Sequence, residues 1–215
     1  MSVPHILLDL DSTLVSAIPT EEYDIKKNKQ KAEQFTFWDM DGYYIVFERP
    51  GLQEFLDWLF ANYTVSVWTA ASKDYALFVI DKIIRKNVSR KIDYMFFSYH
   101  CDWSNNEKNG TKNLKMLWDV FNIPGYTKDN TVILDDYVED VYATQKGSCI
   151  ISPPFEFTDK DSEKDNFLKF LQPKLEMLSN EIKNNKPIPD GHLPSVASAV
   201  DGINNEIKSQ YNIKA

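Results

Sequence analysis

Residues 6–14 read Ile6-Leu7-Leu8-Asp9-Leu10-Asp11-Ser12-Thr13-Leu14, an apolar run that ends abruptly in two carboxylates one residue apart. A short apolar run of this kind reads as a buried strand of a parallel sheet, being too short for a helix. In an extended chain the side chains at i and i+2 point the same way, so Asp9 and Asp11 face one spot at the strand's carboxyl end. That end is where open α/β sheets bind ligands. Two carboxylates so close repel one another unless a cation sits between them or one holds a proton. Hard oxygen donors suit Mg²⁺. Phosphate-ester hydrolysis needs the same set: a nucleophile, a proton donor for the leaving oxygen and a cation against the phosphate charge. Taken alone, an Asp-x-Asp pair fits a solvated turn equally well, and the rest of the chain has to decide.

Working outward, three more short β-prone runs follow: Val65 to Trp68, Tyr94 to Phe97 and Thr131 to Leu134. Between them lie stretches of helical period. Leu52, Phe55, Leu56, Leu59 and Phe60 repeat at i, i+3, i+4, i+7, i+8 after Arg49-Pro50-Gly51, and Tyr75 to Ile84 and Leu114 to Phe121 behave similarly. Strand and helix alternate, which predicts an α/β doubly wound parallel sheet. One segment breaks the rhythm. Residues 16–34 are polar and lysine-rich, and Asp41-Gly42 then separates two β-prone runs. An Asp-Gly pair so placed predicts a hairpin, so a small β insertion spanning about residues 16–48 is expected directly after the first strand. Further on, Phe167, Leu168, Leu171, Leu175, Leu178 and Ile182 mark a helix, Lys186 to Pro194 reads as a linker, and Val196, Val200, Ile203 and Ile207 mark one more amphipathic helix. The expected division is a domain over residues 1–180 and a linker with a C-terminal helix or tail over 181–215.

The length of 215 residues fits one such domain with an appended tail. Hydrophobic residues make up 43% and charged residues 26%, as in ordinary folded proteins. No apolar run approaches the roughly 18–20 residues of a membrane span, and the start lacks the basic lead of a signal peptide. An intracellular location, nuclear or cytoplasmic, is expected. Cys101 and Cys149 stand in no Cys-x-x-Cys or Cys/His cluster and read as buried, reduced thiols. The net charge of −8 argues against nucleic acid as a partner, since such binders carry a basic footprint.

The chain resembles the haloacid dehalogenase superfamily, whose first motif is an apolar strand followed by DxDxT. Val65-Ser66-Val67-Trp68-Thr69 matches the second motif, a strand ending in Thr or Ser; Lys112 in Gly110-Thr111-Lys112-Asn113-Leu114 matches the third-motif lysine; Val132-Ile133-Leu134-Asp135-Asp136 matches the fourth. Each is short, and the weight lies in all four standing in the correct order. A narrower resemblance is to the FCP/SCP-like (NLI-interacting-factor-like) phosphatases that act on the C-terminal domain of RNA polymerase II. It rests on Asp9-Leu10-Asp11-Ser12-Thr13-Leu14, the hairpin, Arg49-Pro50-Gly51 leading into a helix, and Thr69-Ala70-Ala71-Ser72-Lys73-Asp74-Tyr75-Ala76, which is similar to that group's TAS-x-x-x-YA. It covers roughly residues 5–175. Two departures stand out: Ser12 where the group commonly has Glu, and Asp135-Asp136-Tyr137-Val138 where it usually has Asp-Asn-Ser-Pro.

The resemblance implies a Mg²⁺-dependent in-line displacement. Asp9 attacks phosphorus, while Asp11 protonates the leaving oxygen, later activates water and lends its backbone carbonyl to the metal. Asp9 and Asp136 supply carboxylates to Mg²⁺ with Asp135 beside them, and Thr69 and Lys112 hold the phosphoryl oxygens. Other residues read blandly. Asp140 is helix-start charge, the five tryptophans (38, 58, 68, 103 and 118) are packing residues, and His5, His100 and His192 form no triad or metal set. An insertion with room for only a hairpin and a loop leaves the site open, which favours a phosphorylated protein or peptide as substrate. Phe35, Phe37, Tyr43 and Tyr44 offer a wall for it, although alternation along the strands commits about half of them to packing. Two alternatives stay open: a phosphatase for small molecules or nucleic-acid ends, and an FCP-like module that binds without catalysis.

Overall fold

The computed structural model describes residues 3–108, 110–184 and 196–214. Among them, β1 (His5–Leu8) lies at the centre of a five-stranded sheet, flanked by β5 (Thr64–Trp68) and β7 (Thr131–Asp135), with β6 (Met95–Phe96) and β8 (Cys149–Ile151) at the edges. All of these pairings are parallel, and the register sets Leu8 level with Val67 and Leu134. Burial on both faces explains why the runs of β1, β5 and β7 are almost wholly apolar, while the edge strand β6 leaves Met95 exposed. Motifs one, two and four thus leave the same edge of the sheet side by side, which is what creates a site there.

The helices follow their apolar stripes. In α2 (Leu52–Asn62) the residues Leu52, Phe55, Leu56 and Leu59 are buried as expected, and Phe60 is half-buried. Gly51 introduces this helix at φ 77°, a left-handed conformation that glycine takes without steric cost. The expected helix over 75–84 forms as α3 (Lys73–Lys82), followed by a short 3₁₀ turn. The one over 114–121 is a wide π-helical turn at Met116–Val120. Two core elements were not expected. One is β8, only three residues long. The other is α4 (Ser98–Lys108), in which only Cys101 and Ser104 are buried, so its sequence carries no apolar stripe.

The insertion is larger than a hairpin and a loop. Strands β3 (Phe37–Met40) and β4 (Tyr44–Glu48) do flank Asp41-Gly42, both with positive φ, as the turn signal requires. A third strand, β2 (Val15–Pro19), pairs with β4 to give the order β2-β4-β3, and the lysine-rich stretch contains α1 (Ile25–Ala32). Ending in proline, β2 fits an edge position. This sheet has its own small core, in which Phe47 stacks on Phe157 at 3.7 Å between ring centres and Phe35 packs edge-on against both.

At the other end, all six expected apolar positions of α5 (Phe167–Asn184) are buried. The final helix, α6 (Ala197–Tyr211), packs on the core rather than standing apart, with Val196, Val200, Ile203 and Ile207 buried. Asn204 accepts from the backbone N–H of Ile151 at 2.9 Å and donates to the carbonyl of Cys149 at 2.8 Å, closing the open edge of β8. The approach is tight enough that a Cβ on Gly147 would lie 2.6 Å from that of Ala197. The expected linker, Lys186 to Pro194, falls outside the described residues.

Candidate active site

Asp9 follows the last residue of β1, where its backbone N–H is tied to the carbonyl of Leu134 at 3.0 Å. Its side chain is 7% exposed. The Lys112 ammonium donates to Asp9 Oδ1 at 2.5 Å and to Asp135 Oδ2 at 2.7 Å, so a buried cation bridges the ends of β1 and β7. Thr13 Oγ1 donates to Asp9 Oδ2 at 3.1 Å and lies 3.4 Å from Asp136 Oδ1. Asp9, Asp135 and Asp136 each present a carboxylate oxygen, all within 4.8 Å of one another. The Asp11 carboxylate stands outside that trio and accepts a hydrogen bond from the Tyr75 phenol. Thr69, at the end of β5, accepts from the N–H of Ala71 at 3.0 Å, which leaves its own hydroxyl hydrogen free to donate. The six residues singled out in the sequence therefore line one cleft of about 460 Å³, together with Ser12, Tyr137, Glu139 and Pro154. A groove of about 500 Å³ beside Leu77, Val88 and Met95 lacks such a set of converging carboxylates.

Supporting residues fix this arrangement. Asp140, read as helix-start charge, accepts from both the N–H and the hydroxyl of Thr111 and so anchors the loop that carries Lys112. Gln145 grips that loop from the other side, donating to the Lys112 carbonyl at 2.7 Å and accepting from Leu114 N at 2.9 Å. The N–H of Tyr137 donates to Asp135 Oδ1 at 2.9 Å. Neither Gln145 nor Tyr75 carries a role in the sequence reading. Tyr75 did sit inside a quoted motif, whereas a glutamine 33 residues from the lysine it serves gives no local signal.

The electrostatics are lopsided. Burial by itself would lower the pKa of Lys112, but the charges of Asp9 and Asp135 reverse this and hold the ammonium well above the usual lysine range. Burial, reinforced by the charge of Asp9, raises Asp135 and pushes Asp136 up to about 6. Asp11 is likewise pushed up to about 6 by burial, with the Tyr75 hydrogen bond opposing and Asp9 adding to the rise. The trio of carboxylates outnumbers the single ammonium, so the cluster carries excess negative charge in a desolvated place. A hard divalent cation is the partner this donor set fits.

Residues 4–185 match the family model described as NLI interacting factor-like phosphatase. The chain belongs to that family. It is similar to the CTD phosphatase-like protein 355R of Invertebrate iridescent virus 6, with 42% identity over 173 residues that cover 78% of this chain and 94% of the viral one. The protein of the same name from Invertebrate iridescent virus 3 is 40% identical over 181 residues, covering 80% and 94%. Among solved structures, Fcp1, an essential RNA polymerase II CTD phosphatase, superposes with a TM-score of 0.54 at 18% identity. That match covers 98% of this chain, which spans 66% of the Fcp1 chain's length. At this identity the likeness speaks for the fold alone.

Proposed function

We propose that this chain is a Mg²⁺-dependent phosphoprotein phosphatase that works through an aspartyl-phosphate on Asp9. The observation that carries the reading is the convergence of Asp9, Lys112, Asp135 and Asp136, with Asp11 and Thr69 at the same cleft. Asp9 and Asp136 would hold the metal through carboxylate oxygens and Asp11 through its backbone carbonyl, with Asp135 supporting them. When bound, Mg²⁺ supplies positive charge against the phosphoryl oxygens.

A carboxylate oxygen of Asp9 forms a bond to phosphorus as the ester P–O bond breaks, and Asp11 delivers its proton to the departing oxygen. A water then gives its proton back to Asp11 and attacks the phosphorus of the aspartyl-phosphate, which frees Asp9 and inorganic phosphate. The raised pKa of Asp11 supports its place as proton donor, because at about 6 it retains part of its protonated form near neutral pH. Lys112 and the Thr69 hydroxyl neutralise and orient the non-bridging oxygens, where charge develops in the transition state. Lys112 also fixes Asp9 through the 2.5 Å contact.

The substrate follows from the walls. Among the described residues none of the insertion closes over the cleft; the partly exposed Tyr44 stands beside it through its contact with Tyr75, while Phe37 packs on Phe47 at the opposite face of the inserted sheet and Phe35 belongs to that sheet's core. An extended phosphopeptide fits such a surface better than a small metabolite, and the net charge of −8 disfavours nucleic acid. Among the described residues no helix is long and apolar enough to cross a membrane. We also take residues 1–180 as the phosphatase unit and 181–215 as an appended linker and helix.

The test is turnover of phosphopeptides, sugar phosphates and 3′-phosphorylated oligonucleotides, with Mg²⁺ and with chelator. The expected result is Mg²⁺-dependent hydrolysis with preference for phosphopeptides, abolished by Asp9→Asn. Preference for either other class would move the substrate assignment, and activity that survives thorough metal removal would overturn the metal requirement.

A further inference from the structure

Asp11 has to present one particular oxygen to the leaving group, and it lies beyond the end of β1, where a bridge to Val15 holds its backbone but leaves its side chain to other contacts. Its carboxylate also sits near Asp9, whose charge repels it. Among the described residues one side chain hydrogen-bonds this carboxylate. Tyr75, in the first turn of α3, is 7% exposed and donates its phenol hydrogen to Asp11 Oδ1. The helix start that carries Tyr75 continues directly from β5 and the Thr69 turn, so one connection delivers both the phosphate-facing hydroxyl and the acid's anchor. Tyr44, on β4 of the insertion, braces Tyr75 from outside with its ring edge-on at 5.5 Å and 71°.

We propose that Tyr75 is a positioning residue for the general acid: its phenol fixes Oδ1 of Asp11 and leaves Oδ2 as the oxygen that carries the proton to the leaving group. Tyr44 secures the ring, so the insertion reaches the chemistry through Tyr44, Tyr75 and Asp11. The inference rests on the phosphatase reading above and adds a residue that the reading does not need. Proton delivery matters most when the leaving group is a poor one. A serine alkoxide leaves only if protonated, whereas a nitrophenolate leaves largely unaided.

The experiment compares Tyr75→Phe and Tyr44→Leu with wild type on a phosphoserine peptide and on a nitrophenyl phosphate, both with Mg²⁺. The quantity read is kcat/KM, which reports the steps up to leaving-group departure and so excludes the later attack of water. Tyr75→Phe removes one oxygen and keeps the ring, and its folding is checked by thermal unfolding. The expected outcome is a fall of about tenfold or more on the peptide, within the roughly 10²–10⁴-fold worth of general acid catalysis, against less than about threefold on the aryl ester. Tyr44→Leu should show the same asymmetry, smaller, between a small alkyl phosphate and the nitrophenyl phosphate, a comparison into which lost peptide binding at Tyr44 does not enter. An equal fall on both substrates in a folded variant would reduce Tyr75 to a packing residue and overturn the inference while leaving the phosphatase reading standing. A wild-type protein inert on both esters would sink that reading, and this inference with it.

Discussion

Arg49 is 1% exposed and Lys112 4%, and each buried cation ties together strand ends that are distant in sequence. Around Arg49 every bond ends in a settled account. Its guanidinium pairs bidentately with Asp165 at 2.9 and 2.8 Å, donates to the Thr13 carbonyl at 2.8 Å and Ser152 Oγ at 2.9 Å, and lies over the ring of Phe167. One carboxylate answers one cation, and Asp165 in turn accepts from the first N–H of α5. Lys112 instead faces Asp9 and Asp135, with Asp136 close by, and charge is left over. The contrast separates an ion pair whose charges balance from a cluster with carboxylates in excess, which the proposed mechanism completes with a cation and a phosphoryl group.

Exchanging the cations for methionine should split along that line. Lys112→Met is expected to lower kcat/KM on a phosphopeptide by about 10²–10³-fold, the usual loss when a transition-state charge partner is removed. Steady-state kinetics on the folded variant checks it, and near wild-type activity would remove Lys112 from the site. Arg49→Met should act mainly on stability. Removing one partner of a buried pair costs about 3–5 kcal/mol, and the lower end is expected because Asp165 keeps 17% exposure. Denaturant unfolding measures this, and a loss below about 1 kcal/mol would show that the Arg49 network is dispensable.

A smaller effect of opposite sign is expected at the reactive cluster. The folded-state pKa of Asp136 is raised above its unfolded value, so the native state holds that proton more tightly and ionisation costs stability. The cost is absent below the unfolded value of 3.8 and grows as pH rises through about 6. In chelator at pH 7, Asp136→Asn should therefore be more stable than wild type by about 1–2 kcal/mol, an advantage that vanishes by about pH 4. Unfolding measured across that range in both proteins would show the narrowing gap; a constant or reversed difference would mean that Asp136 is not strained by its neighbours. Because an amide oxygen still offers the cation a neutral donor, this variant should also keep turnover within about tenfold while binding Mg²⁺ more weakly.

The strands that end in Asp9, Thr69 and Asp135 were legible in the sequence because a parallel strand buried on both faces is apolar throughout and stops abruptly at its functional end. The stripes of α2, α5 and α6 were legible for the same reason of burial. What escaped had no such imprint. Helix α4 buries only Cys101 and Ser104, β8 is three residues long, and β2 ends in a proline. At the site, the motif spacing pointed to the residues that line the cleft, while Tyr75, Asp140 and Gln145 bond to those residues or their loop from elsewhere in the fold. Side chains that hold other side chains leave no local period to read, so Asp140 looked like ordinary helix-start charge until its bonds to Thr111 were seen.

In the proposed mechanism a carboxylate oxygen of Asp9 receives the phosphoryl group. Rapid acid quench of the enzyme during turnover of a labelled aryl phosphate, followed by peptide mapping, tests this directly. Label should appear on Asp9, require Mg²⁺, and be absent from Asp9→Asn. Turnover with the label on another residue, or undiminished in Asp9→Asn, would contradict it.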